Sequence, residues 1–273
     1  MSKKQRNVSL VIFGVLLLAS LTLSLLCGRR EASESLQAVM RDAVLQEDNK
    51  ISLFGLLDVN PAVISGFTVT GILLLLAALA RLFVIPRFRY TPGRLQLLIE
   101  ELVGFFRNLA QTNSPHRNGF LGLYLFAAGV YVFFGTVFEL LGIQTVTTNG
   151  ASASLPAPLS DINAAISVGC MSYLFILGGG IRANHLRGAV NTLKDFSLPI
   201  SMSFRLFGAL LSGLLVTELV YYSLSLSFVL PVFVGIMFTL LHALIQTYVL
   251  TTLVSIFYGE VTEPQTKKVK QNA

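Results

Sequence analysis

The chain has 273 residues, of which 53% are hydrophobic and 12% charged, with a mean hydropathy of +0.71. A soluble core of that size cannot hide so much apolar surface, so lipid is the expected solvent. The formal net charge of +6 does not indicate nucleic acid, because the basic residues are scattered between apolar runs and form no single stripe.

Six hydrophobic segments follow one another, at 8–27, 62–85, 118–144, 163–181, 197–224 and 227–258. Each reaches the ~20 residues that cross a hydrocarbon core. The runs are continuous rather than alternating, which selects helices over a barrel. The expected fold is all-α, a polytopic transmembrane helix bundle of about six spans with one interfacial amphipathic helix.

The first run begins after Lys3, Lys4 and Arg6 and breaks at Cys27-Gly28. That pattern also describes a secretory signal, but its length and the lack of a small-x-small site favour an uncleaved anchor. Cys170 falls within an apolar run, so a disulfide to Cys27 is not expected. Between the second and third runs, Pro92-Gly93 opens the stretch Arg-Leu-Gln-Leu-Leu-Ile-Glu-Glu-Leu-Val-Gly-Phe-Phe-Arg-Asn-Leu. Glu100, Glu101, Arg107 and Asn108 interrupt its apolar face, as in a helix lying at a membrane interface. Pro86 and Pro92 oppose its being a continuation of the second span.

Basic residues set the orientation. Arg81, Arg87, Arg89, Arg94, Arg107 and Arg117 border or follow the second run, and Arg182, Arg187 and Lys194 follow the fourth. Lys267, Lys268 and Lys270 sit in the tail, whereas 145–162 and the turn near 225 have no Lys or Arg. By the positive-inside rule both termini and the loops 86–117 and 182–196 are cytoplasmic, and 28–61 is outside. The expected organisation is an N-terminal anchor and outside segment over 1–61, and a second span with its interfacial helix over 62–117. A four-span bundle over 118–260 and a basic cytoplasmic tail over 261–273 complete it.

The polar residues inside the spans carry the functional signal. Arg205 lies about two turns into the fifth run, where a charge costs ~2.5–3.5 kcal/mol on insertion scales. Its guanidinium does not shed the proton, so the charge persists. A snorkelling arginine is the structural alternative. Ser201, Gly208, Ala209 and Ser212 flank Arg205 on one face and would let another helix approach closely, although ordinary bundle packing uses such residues too. Glu218 sits further along the same run, as a relay acid or an interfacial residue. Thr239, His242 and Gln246 share one face of the sixth run. Histidine titrates near neutrality, which suits a proton relay, while a satisfied core histidine is the plainer alternative. Asp161 and Asn163 open the fourth run, where Asp161 also fits a helix N-cap. Glu139 sits near the outer end of the third. No phosphate-binding loop, metal-ligand spacing or Ser/His/Asp arrangement is present, so neither cofactor nor metal is expected.

These stretches resemble subunit a of F-type ATP synthases. Phe-Arg-Leu-Phe-Gly at 204–208 is similar to that family's fifth-helix motif, and Ile-Gln-Thr-Tyr-Val-Leu-Thr-Thr-Leu around Gln246 to its last helix. Pro-Leu-Ser-Asp-Ile-Asn at 158–163 and Gly-Arg-Leu-Gln-Leu-Leu-Ile-Glu at 93–100 match its fourth-helix entry and interfacial helix. The matches come in family order over roughly residues 50–260. The resemblance implies a stator that presents two aqueous half-channels to a ring of c subunits, held by peripheral-stalk b subunits and coupled indirectly to the F1 sector. It implies a bacterial inner-membrane location and ATP chemistry in other subunits. Arg205 would be the essential arginine and Gln246 the glutamine facing it. Glu218 and His242 would serve the outer half-channel, with Asp161, Asn163 and Glu139 as weaker path candidates. The chain departs from the family at Ala209, where Asn is usual. It also has Leu214 at the usual fifth-helix acid position and Thr239 at the usual sixth-helix titratable position. The span before the family region is a further difference. A secondary transporter that binds an anionic substrate at Arg205, or a purely structural assembly protein, are the rival readings.

Overall fold

The computed structural model describes residues 14, 15, 19, 22, 51–53, 57–146, 152–222 and 230–264. Most of the first apolar run, the turn near 225 and the tail from 265 lie outside the described residues.

Six long helices dominate the described residues. Helix α1 spans Pro61–Leu79, with Asn60 as its N-cap accepting from the Ala62 amide and Pro61 in the first position. A proline there loses nothing, since that amide has no partner in the helix. The helix runs on through a wide π turn, Ala80–Val84, and a 3-10 turn, Ile85–Arg87. Helix α2, Arg94–Asn113, starts afresh after Pro92-Gly93. The two prolines therefore separate span from amphipathic helix as expected.

Helix α3, Gly119–Phe138, ends in a 3-10 turn at Glu139–Leu141, and Gly142 adopts left-handed φ of 57°. Four helical segments among the described residues are long and apolar enough to cross a membrane: 61–87, 119–141, 162–194 and 235–262. Two small antiparallel hairpins sit at the ends: β1 (Ile51–Leu53) pairs with β2 (Leu57–Val59), and β3 (Gln144–Val146) with β4 (Ser152–Ser154).

Helix α4, Ile162–Lys194, starts at its N-cap Asp161 and contains a reversal at His185, whose φ is 51° and ψ −133°. The Tyr173 hydroxyl donates to the Thr192 carbonyl at 3.1 Å. In a straight helix those residues would be separated by about 28 Å. The segment after His185 therefore folds back on the segment before it. Gly188 and Gly180 meet backbone to backbone at this reversal, and a Cβ on Gly188 would collide with the Gly180 carbonyl. The stretch 182–196, expected as a loop, is thus mostly a helical return. The glycine-rich run Gly178-Gly179-Gly180 marks where the close approach becomes possible.

Helix α5 spans Ser197–Tyr222 and α6 spans Leu230–Thr262. The core lies between α3, α4, α5 and α6, with Leu121, Leu125, Ile176, Met202, Leu206 and Val254 fully or nearly fully buried. Glycines set the helix separations. Gly169 faces Ser203 across α4 and α5, Gly179 faces the Tyr258 ring, and Gly129 receives the edge of Phe106 from α2. A stacked aromatic series, Tyr124–Phe175 at 4.0 Å and Phe175–Tyr258 at 5.2 Å, ties α3, α4 and α6 together. By contrast, Leu74, Leu75, Leu76 and Leu82 of α1 and its continuation are exposed. That outward apolar belt is what a helix bundle presents to lipid. The chain is an all-α polytopic membrane bundle.

Candidate functional site

Arg205 projects from the exposed side of α5, whereas its neighbour Leu206 is 1% exposed and faces the core. Among the described residues its guanidinium has no ion-pair or hydrogen-bond partner. Its backbone does have one: the Gln246 Nε2 donates to the Arg205 carbonyl at 3.1 Å, from α6. Gln246 is 5% exposed. A buried amide needs such a partner, because leaving it unpaired would cost about 1–3 kcal/mol. The bond fixes the register of α5 against α6 at the level of Arg205.

The face around Arg205 is open. Ser201, Gly208 and Ser212 are exposed and Ala209 is half-buried. A Cβ added at Gly208 would meet nothing within 4 Å. Glycine inside a helix costs about 0.5–1 kcal/mol relative to alanine. Nothing within the described residues requires a glycine at 208, in contrast to Gly169 and Gly188. Ser212 turns its hydroxyl back to the Ala209 carbonyl at 2.8 Å, so this face shows no outward donor there.

His242 lies one turn before Gln246 on α6. Its Nδ1 is 2.7 Å from the Phe238 carbonyl, and its ring stacks on Phe238 with centroids 5.9 Å apart. A carbonyl only accepts, so Nδ1 carries the hydrogen and Nε2 is left as the proton acceptor of the neutral ring. The antiparallel register places His242 level with residue 209. The backbone of residue 218 lies about nine residues further along α5, an axial offset of about 13 Å. The side chain of Glu218 lies outside the described residues, and Thr239 is half-buried.

The remaining candidates gather elsewhere. Asp161 is 9% exposed and accepts from the Asn163 amide at 2.6 Å, which makes it the N-cap of α4. Its other oxygen accepts from Asn60 Nδ2 at 2.7 Å. One carboxylate thus joins the N-termini of α1 and α4, where the helix dipoles favour negative charge. Asn60 was not singled out from the sequence, although Asn before Pro is a recognisable cap pattern. Asp161 and Asn163 line a cavity of about 430 Å³ with Thr70, Tyr131 and Ser167. Glu139 is half-buried in the turn after α3. The structure therefore brings Arg205, Gln246 and His242 to one helix pair, and Asp161 with Asn163 to a separate cavity. Cys170 is a free, exposed thiol, and Cys27 lies outside the described residues. Among the described residues no group of His, Cys, Asp and Glu is placed to hold a metal.

Comparison with known proteins gives a consistent result. The family model described as "ATP synthase A chain" matches residues 63–259. ATP synthase subunit a from the chloroplast of Stigeoclonium helveticum is 29% identical, covering 63% of this chain and 74% of its own. The chloroplast subunit a of Oedogonium cardiacum is also 29% identical, over 63% of this chain and 72% of its own. Subunit a of Cereibacter sphaeroides is 25% identical, covering 61% and 68%. With α1 through α6 lying almost wholly inside the matched region, this chain belongs to the ATP synthase A chain family.

Proposed function

We propose that this chain is the ion-conducting stator subunit of a rotary ATP synthase, with Arg205 as its electrostatic gate. The observation that carries the reading is the exposed, permanently charged Arg205 on a small-residue face, with its backbone tied to Gln246. A ring of c subunits bearing carboxylates would pass this face. Gly208 and its small neighbours would let a ring helix come close enough for the guanidinium to attract each carboxylate in its ionised form. The same charge would stop an ion from passing directly between the two half-channels. Each charge crossing 100 mV releases ~2.3 kcal/mol, which becomes torque only when that leak is closed.

The ion path in this reading carries H+ (or Na+). The cavity at Asp161 and Asn163 would receive it from the outer side, with Glu139 near the same end. Glu218 and His242 would serve the outer half-channel nearer the ring. The axial offset between them argues for transfer through water rather than direct contact. The region 118–260 forms the conducting bundle, and α2 lies at the cytoplasmic interface. Peripheral-stalk b subunits would hold the bundle against rotation, and ATP chemistry would reside in the F1 sector. The setting would be a bacterial inner membrane with both termini cytoplasmic.

The test is Arg205→Ala in the complete synthase reconstituted into vesicles. Ion-driven ATP synthesis should disappear while the complex still assembles. Synthesis at the unmodified rate would sink the proposal. Substrate uptake by the purified chain alone would instead support a transporter.

A further inference from the structure

Residues 59–99 contain four arginines, at 81, 87, 89 and 94, and no Asp or Glu; the first acid after them, Glu100, accepts from Gln96 Nε2 at 2.7 Å. Three of them, Arg87, Arg89 and Arg94, line one cavity of about 510 Å³ at the corner between the 61–87 segment and α2. All three are exposed, and none has an ion-pair partner among the described residues. The corner is held in shape. Gln96 Oε1 accepts from the Arg89 amide at 3.1 Å, and Gln96 Nε2 donates to the Arg89 carbonyl at 3.0 Å. This two-point clamp holds the arginine-bearing segment against the first turn of α2. Helix α2 is 20 residues long, and its N-cap Gly93, also in the cavity wall, supplies no side-chain cap. Its first amides are therefore open to an anion from outside the helix.

The chemistry around the corner changes within one helix. Phe83 and Leu95 line the same cavity as the arginines. Along α2, Leu97, Leu98 and Leu102 are exposed and border a second, mainly apolar hollow, with Glu101 on its rim, that shares Leu102 and Phe105 with a cavity of about 420 Å³ beneath α2. A cationic pocket followed along the same helix by a mainly apolar hollow matches a molecule with an anionic head and hydrocarbon tails.

We propose that the corner between the 61–87 segment and α2 binds an anionic glycerophospholipid. Its phosphate lies among Arg87, Arg89, Arg94 and the α2 N-terminus, and its acyl chains run along the exposed leucines of α2. Arginine suits this role because its planar fork meets phosphate oxygens two at a time. The site is separate from Arg205 and depends only on the membrane placement of the chain, so it stands or falls independently of the gate.

The experiment uses the assembled complex in nanodiscs of phosphatidylcholine with a minority of phosphatidylglycerol, because basic residues beside a membrane attract anionic lipid. Native mass spectrometry should find phosphatidylglycerol retained above its bulk share. Each of Arg87→Gln, Arg89→Gln and Arg94→Gln should lower that enrichment about fivefold, the effect of one basic group at an anionic surface. The control Arg182→Gln with Arg187→Gln should leave it in place. A photoactivatable phosphatidylglycerol should label residues 83–105 in the unmodified protein, which keeps the test valid if a variant fails to assemble. Equal retention of both lipids, or equal loss in the control, overturns the proposal. So does displacement of the label by inorganic phosphate alone, which would mean a phosphate site without lipid selectivity. Cross-linking of this corner to an acidic segment of another subunit, with no lipid label, overturns it as well.

Discussion

Gln246 gives Arg205 a fixed backbone and leaves its guanidinium untethered. Replacing it by leucine removes a net ~0.5–1.5 kcal/mol interaction. Under the proposed function Gln246→Leu should still assemble, but coupled ATP synthesis should fall about two- to tenfold. Initial rates in reconstituted vesicles measure this, and an unchanged rate would reduce Gln246 to packing. His242 is oriented by the Phe238 carbonyl, which leaves Nε2 as its proton-accepting atom. Under the proposed function His242→Ala should slow ion transport in reconstituted vesicles, and an unchanged rate would exclude the relay role. Gly208 makes the most selective test of the open face. Because a Cβ there meets nothing within the chain, Gly208→Val should leave the isolated protein folded while abolishing coupled turnover. Loss of folding instead would mean that the glycine serves the chain's own packing.

At the scale of elements, the α4 reversal is the feature most sensitive to substitution. His185 holds a positive φ, and Gly180 and Gly188 meet with no room for a side chain. Such a backbone costs about 1–3 kcal/mol and persists only where its surroundings enforce it. Gly188→Val should destabilise the protein by about 1–3 kcal/mol or more, because it forces apart helices whose separation is set by backbone contact. Thermal unfolding in detergent should show a lowered Tm. His185→Gly, which relieves the left-handed strain without adding volume, should be neutral or stabilising by comparison. The sequence placed the fourth span and its basic end correctly but read 182–196 as a loop. Arg182, Arg187 and Lys194 look like loop residues by charge. Nothing local in that stretch reveals that the chain doubles back, since the decisive contact joins Tyr173 to Thr192.

At the scale of the whole molecule, the charge alternation and the outward apolar belt make one prediction about orientation. A protease-cleavable tag on the C-terminus should be cut in inverted vesicles and protected in right-side-out ones, and a tag in 28–50 should behave in the opposite way. The same pattern of protection for both tags would overturn the assignment. What the sequence by itself determined is the solvent, the helical class, where α1, α3, α4, α5 and α6 start to within a few residues, and the polar positions that stand out against lipid. These follow from local rules: a backbone in hydrocarbon must bond to itself, prolines and glycines end helices, and a charge in a span is costly wherever it sits. What only the tertiary structure decided is which of those polar groups meet. Gln246 reaches the Arg205 carbonyl, Asp161 joins Asn60 across two helix ends, and Gln96 clamps Arg89 beside two other arginines. Each of these depends on the register or turn geometry that glycine contacts and helix packing impose. Residue spacing along one helix gives a face, but the partner that face finds is fixed only when the helices are placed against each other.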